Sequence, residues 1–344
     1  MKALYYKEAG DGAILDVPKP VCGDGQVIIK VMSASICKGV EMGHAQNGTG
    51  LSIYPVIPGH EFAGFVDEIG NDVTNVKIGD RVTADNTKLC GECYYCQKNM
   101  PLYCEKFGSL GHNINGGFAE YVVVDKEKVF SIPEEMTFDM ACLAEPVACC
   151  VHAVDRADVK FGEVVVVVGD GPNGQILCQL LSKSNAESVI LLGRHQSKLD
   201  LAAKYGTICI KVDGNNTDFI ETVKKRFPQG VDCVIDATGN MTSVTNSFQL
   251  LKKGGRVVQY GVPHADVDVK IPGFYFFVNE LSYIASMAQT HCYGKALDYI
   301  NNGTIDLETL VTHTCSLDDY FTALDLTFND RNQMKIIIHP WEAE

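Results

Sequence analysis

Hydrophobic and polar positions follow two different patterns along the chain. Over roughly the first 145 residues, short β-like runs at 27–31, 62–66 and 121–124 are separated by glycine. Small apolar residues at 147–154, just after Glu145-Pro146, read as a helix. The pattern then changes. Five consecutive valines, Val164–Val168, make a continuous β-branched run, as expected of a parallel strand buried on both faces. A helical stretch at 174–184, a strand at 189–192, a helix at 197–205 and strand-like runs at 208–212, 231–235 and 256–260 follow. Such alternation predicts βαβ units on a doubly wound parallel sheet. The tail carries an amphipathic helix at 293–301 and a strand at 335–338. The predicted organisation is a β-rich domain over 1–147, a dinucleotide-binding α/β domain over 148–285, and a return to the first domain over 286–344.

Composition narrows the functional classes. A chain of 344 residues suits two domains, and 46% hydrophobic with 21% charged residues is the balance of a soluble globular protein. A formal charge of −14 leaves little with which to build a phosphate-binding face, arguing against nucleic acid and weakly against an anionic membrane surface. No run approaches the ~18 apolar residues of a spanning helix, and the first residues lack the apolar core of a signal peptide. Fourteen cysteines in that setting suggest metal ligands and buried thiols, with the cytoplasm as the expected location.

Two cysteine patterns stand out. Cys90, Cys93, Cys96 and Cys104 are spaced C-x2-C-x2-C-x7-C, close enough to surround a zinc ion with a closed all-thiolate shell. Disulfides, reduced surface thiols or an iron–sulfur cluster are the alternatives, and structural zinc is the preferred reading because the surrounding motifs fit zinc and no redox partner site is visible. Cys37, by contrast, stands alone. Gly59-His60-Glu61 follows it, and Glu145-Pro146 comes where the first domain ends. One thiolate, one imidazole and one or two carboxylates are the donors of a catalytic zinc that keeps a position open for water or substrate.

The valine strand runs into Gly169-Asp170-Gly171-Pro172-Asn173-Gly174, after which a helix begins. In that context G-x-G-x-x-G is a dinucleotide signature. Gly169 permits the turn, Gly171 lets backbone approach a pyrophosphate, Gly174 allows close helix–strand contact, and Pro172 and Asn173 complete the turn. Coenzyme choice is read about 20 residues on, where NAD enzymes place an acid for the ribose hydroxyls. Here the chain has Gly193-Arg194, with His195, Ser197 and Lys198 as further donors. A guanidinium suits a 2′-phosphate, so NADP(H) is expected over NAD(H).

Cys37, Gly-His-Glu at 59–61, the four-cysteine lobe and Glu-Pro at 145–146 occur in an order that resembles the medium-chain zinc alcohol dehydrogenases, especially their sorbitol, threonine and sugar-alcohol-phosphate branch. The resemblance spans essentially the whole chain. It implies a GroES-like catalytic domain beside a Rossmann-type domain, two zinc ions per chain, and a homodimer or homotetramer. By it Cys37, His60 and Glu61 hold the catalytic zinc, and Glu145 approaches as a ligand or through water. The implied reaction moves hydride between nicotinamide and a secondary alcohol or its ketone, the metal acidifying the hydroxyl to an alkoxide. A polyol, cyclitol or sugar, free or phosphorylated, is the expected substrate. An amino-alcohol dehydrogenase is the second reading, and a zinc-free quinone reductase or non-catalytic binding protein a distant third. One departure concerns the proton route: relatives carry Ser or Thr two residues after the cysteine, then Asp, where this chain has Gly39 and Val40. Glu41 and His44 are the candidate replacements. The aromatic run 273–278 reads as an edge-strand subunit interface or as core.

Overall fold

Ten residues, Gln26–Ser35, form the strand around which the first unit is built, and most of them are buried. Phe62–Ile69 pairs antiparallel along one side. Along the other, Tyr121–Asp125 pairs with the first half and Lys335–His339 with the last residues. Val311–Ser316 lies beyond Lys335–His339, and Arg81–Ala84 and Val129–Ser131 complete a seven-stranded sheet. Alternate side chains from these strands, among them Val27, Ile29, Val31, Phe62, Val66, Val122, Ile336 and Ile338, meet Phe118 and Tyr320 in one core. This computed structural model describes residues 1–47, 50–213 and 218–341. The chain divides into two units, Met1–Pro146 with Tyr293–Glu344, and Val147–Cys292. Residues 286–292 thus group with the second unit, whereas the sequence pattern assigned them to the returning segment.

The second unit is a six-stranded, wholly parallel sheet. Its order is Ile208–Lys211, Ser188–Gly193, Val164–Val168, Val231–Asp236, Leu251–Gln259, Ser282–Ala285. The valine strand is central, with Val165, Val166 and Val167 fully buried. From it the chain winds outward one way through Ser188–Gly193 and Ile208–Lys211, then crosses back to Val231–Asp236 on its other side. The carboxyl ends of strands at such a reversal form the crevice where α/β sheets bind ligands. Gly169 to Gly174 lie at that end.

The aromatic run is neither a strand nor core. Gly273–Asn279 is a helix, and Phe274 and Phe277 are 81% and 80% exposed. Phe276, on its inner face, meets Phe248 edge-on with ring centroids 4.8 Å apart. Pro272, directly before it, supplies no N–H to a sheet ladder and brings a φ of −75° compatible with helix entry. The sheet's edge is the following segment, Ser282–Ala285. No helix among the described residues is long and apolar enough to cross a membrane.

A small polar clasp ties the last strand to the short helix Phe138–Ala141. Asp139 Oδ1 accepts from Ser33 Oγ at 2.6 Å and lies 2.8 Å from His339 Nε2. The bond to Asp139 raises the His339 pKa; burial of Asp139 works against its charge, but the bonds from His339 and Ser33 outweigh it and lower its pKa. A raised histidine stabilises fully below its unfolded pKa of about 6.5, and the effect is lost as pH rises through the folded value. The lowered carboxyl contributes above about 4 and is lost as pH falls through its folded value. Wild type should therefore exceed His339→Gln in urea midpoint more at pH 5.5 than at pH 8. Equal differences at the two pH values would rule the clasp out.

Candidate functional site

Strand pairing brings the dispersed donors together. Cys37 lies just past the end of Gln26–Ser35, and His60 and Glu61 just before Phe62–Ile69. These strands run antiparallel with Ala34 opposite Phe62, so the exit of one lies beside the entrance of the other. The Ser35 amide donates to the Glu61 carbonyl at 2.9 Å, extending the ladder one step. One donor atom each from Cys37, His60 and Glu61 consequently fall within 4.8 Å of one another, and His60 and Glu61 are buried. Gly59 sits at φ +91°, and a Cβ there would fall 2.6 Å from the Phe118 nitrogen. Only glycine fits that approach to His60.

The donor set fits a dication. Burial pushes the Cys37 thiol up to about 12, with Glu61 adding to the effect, so the isolated pocket disfavours a thiolate. A bound metal inverts that logic, because its charge stabilises the deprotonated sulfur. His60 Nδ1 is buried without a hydrogen-bond partner among the described residues. Glu145 is buried in the first turn of the helix Ala144–Ala157 and lies outside the close trio, although its charge acts on Cys37.

Lys335 was not singled out from sequence. Its ammonium lies 2.6 and 2.7 Å from the two carboxylate oxygens of Glu61, and both side chains are almost completely buried. The ladder explains the meeting: Ile337 pairs with Ser35, and the Ile36 amide donates to the Ile336 carbonyl at 3.0 Å. Burial works against the lysine's charge, but Glu61 and Cys37 outweigh it and hold its pKa above the ordinary value. The available signal was a lysine directly before three consecutive isoleucines.

The two candidate relay groups both point inward. Glu41 is fully buried, and its Oε2 accepts from the Cys37 amide at 2.8 Å. Burial holds its carboxyl well above the usual range. His44 is also fully buried, with Nε2 2.9 Å from the Gly111 carbonyl and Nδ1 3.0 Å from the Tyr54 hydroxyl. Because the carbonyl can only accept, Nε2 carries the proton and Nδ1 receives the tyrosine's. Burial lowers the pKa of His44, favouring this neutral form. His112, which no motif marked, neighbours both His60 and His44, with ring centroids 5.1 and 6.3 Å away.

The four-cysteine lobe gathers as its spacing predicts. Cys90, Cys93, Cys96 and Cys104 form the second close donor group. Sγ of Cys90 is 3.9 Å from that of Cys96 and 3.6 Å from that of Cys104, and all four are free thiols. Tetrahedral zinc with Zn–S near 2.3 Å requires S···S of about 3.8 Å. Disulfides, near 2.05 Å, are absent here. The amides of Cys90 and Cys93 approach Cys104 and Cys90 sulfur at 3.4 Å.

At the nucleotide turn, Gly169 adopts φ +114° and its amide donates to Leu192. Gly171 is unobstructed within 4 Å and precedes the helix Pro172–Ser182, in which Pro172 and Asn173 are the first two residues. A Cβ on Gly174 would fall 1.9 Å from the Gly169 carbonyl oxygen, so helix and strand touch only because that position is glycine. Gly193 ends the next strand, Arg194 is exposed beyond it, and Lys198 is buried in the helix Gln196–Ala203.

A β-rich unit with a close thiol–imidazole–carboxylate trio, and a doubly wound unit with a phosphate-type glycine turn, define the class of metal-dependent nicotinamide dehydrogenases. Residues 23–134 match the alcohol dehydrogenase GroES-like domain, and residues 172–302 match the zinc-binding dehydrogenase domain. The chain is 35% identical to D-arabinitol dehydrogenase 1 of Uromyces fabae, over 99% of this chain and 97% of that protein. It is 32% identical to D-arabitol-phosphate dehydrogenase of Enterococcus avium, over 95% and 93% of the two. A zinc-binding dehydrogenase of Sinorhizobium meliloti 1021, solved bound to NADP, superposes with a TM-score of 0.90 at 31% identity, covering 98% and 99% of the chains. The chain therefore belongs to the zinc-containing medium-chain alcohol dehydrogenase family and is an NAD(P)-linked oxidoreductase of alcohols, like its polyol and sugar-alcohol relatives.

Proposed function

We propose that this enzyme acts on a secondary hydroxyl of a polyol, cyclitol or sugar, free or phosphorylated, and prefers NADP(H) to NAD(H). The observation that carries the reading is the convergence of Cys37 with the buried His60 and Glu61 in one close trio. The names of the arabinitol and arabitol-phosphate relatives support the substrate class. In this reading the trio holds the catalytic zinc, Glu145 approaches it as a ligand or through water, and Cys90, Cys93, Cys96 and Cys104 hold a structural zinc. The catalytic zinc supplies Lewis acidity toward an alcohol or ketone oxygen. Lys335, in contact with both carboxylate oxygens, orients Glu61. Residues 169–174 receive the pyrophosphate at a helix N-terminus, while Gly193, Arg194 and Lys198 face the adenosine end. The exposed guanidinium and the NADP-bound neighbour support the coenzyme preference.

A homodimer or homotetramer in the cytoplasm completes the proposal. Exposed Phe274 and Phe277 beside the edge strand Ser282–Ala285 support self-association there. Metal analysis should find two zinc ions per chain, matching the two donor groups. A single zinc, bound by the four-cysteine lobe, would remove the catalytic assignment. A panel of polyols, cyclitols, their phosphates and amino alcohols, assayed with each coenzyme, should give highest kcat/KM for a polyol or sugar with NADP. Threonine as best substrate, or a clear NAD preference, would overturn the respective part.

A further inference from the structure

Asp170 occupies the glycine turn between Gly169 and Gly171, yet its side chain serves the neighbouring strand. Oδ2 accepts from the amides of Arg194 and His195, each at 2.7 Å, and lies 3.0 Å from His195 Nδ1, which is also 3.3 Å from Oδ1. The residue is 7% exposed. A second tie runs beside it, from Gln175 Nε2 to the Lys198 carbonyl at 2.9 Å. The turn expected to hold pyrophosphate and the loop expected to hold the adenosine ribose are thus joined through side chains.

This contact explains Gly193. A Cβ at that position would fall 2.6 Å from the Asp170 Cβ and 2.9 Å from its Oδ2, with Leu199 Cδ2 2.8 Å away in the same space. An acid at the strand end, which in NAD enzymes accepts from the ribose hydroxyls, has no room while Asp170 keeps this pose. The Asp170 carboxylate cannot fully replace that acid, because two amides and an imidazole already approach it. Arg194, whose backbone is held this way, has an exposed side chain with no ion pair among the described residues.

We propose that Asp170 is a specificity-determining positioning residue for the coenzyme. It excludes a side chain at position 193 and pins the amides of residues 194 and 195, presenting the Arg194 guanidinium to a phosphate on the adenosine ribose. The assignment rests on the NADP(H) reading above.

Calorimetric binding of 2′,5′-ADP and of 5′-AMP to the full-length chain tests it without catalysis. Wild type should bind the first more tightly. Asp170→Ala and Arg194→Ala should each weaken 2′,5′-ADP by about tenfold or more and 5′-AMP by less than about threefold, as expected for loss of a charge-assisted contact. Asp170→Asn, whose amide oxygen still accepts from both backbone amides, should retain most of the selectivity. Gly193→Ala, which displaces Asp170 without changing it, should show the same selective loss and provides the test if Asp170→Ala does not fold. Equal weakening of both ligands by Asp170→Ala, or no weakening, overturns the assignment. If Arg194→Ala abolishes selectivity and Asp170→Ala does not, the positioning role alone falls. If wild type does not distinguish the ligands and Arg194→Ala changes nothing, the NADP(H) reading fails and the proposal fails with it.

Discussion

Replacing Lys335 with methionine is expected to lower the stability of the metal-free chain by about 3–5 kcal/mol, the penalty for leaving a buried charge without its partner. The lysine contacts both oxygens of Glu61, and the two side chains are 5% and 1% exposed. Methionine fills a similar volume but leaves the carboxylate in an apolar setting with its counter-charge gone. Urea unfolding should register the loss as a lower midpoint. The double variant Lys335→Met with Glu61→Gln should recover much of it, because a neutral amide costs far less to bury than an orphaned charge. With zinc bound the loss should be smaller, since the dication also compensates Glu61. A single variant within about 1 kcal/mol of wild type, the range of a solvated surface pair, would contradict the buried-pair argument.

The second large effect concerns activity. Cys37→Ala should lower kcat/KM by on the order of a thousandfold, because a Lewis-acid metal contributes several kcal/mol and each 1.36 kcal/mol is tenfold in rate. Zinc should fall from two ions per chain to one, since the four-cysteine group is separate in sequence and intact. Circular dichroism should be unchanged. Cys104→Ala is the matching control, expected to lower thermal stability while the Cys37 site keeps its metal. Activity within tenfold of wild type for Cys37→Ala, or unchanged zinc, would contradict the assignment of Cys37 as a ligand.

Much of the local structure was legible because it depends on neighbours in sequence. The valine run matched the central strand to the residue, and the amphipathic segment Tyr293–Asn301 matched its helix. The four cysteines needed no distant partner, so spacing sufficed. The glycine turn was also readable, since strand, turn and helix are contiguous. The aromatic run forms a helix in place of the expected strand for the complementary reason. Its composition favours a strand, but a strand exists only where an edge accepts it, and that edge was filled by Ser282–Ala285.

By itself, then, the sequence determined which residue types were available for metal and coenzyme chemistry, and where chain-local geometry would present them. It determined the four-cysteine lobe and the phosphate-type turn almost completely. Tertiary structure alone decided that Cys37 and His60 meet, because their proximity is created by the antiparallel register of two strands. It alone decided that Lys335 reaches Glu61 across 274 residues of chain, and that Asp170 closes the space at Gly193. Sheet pairing sets such contacts through a register shared by distant segments, and no window of sequence around any one residue contains that information.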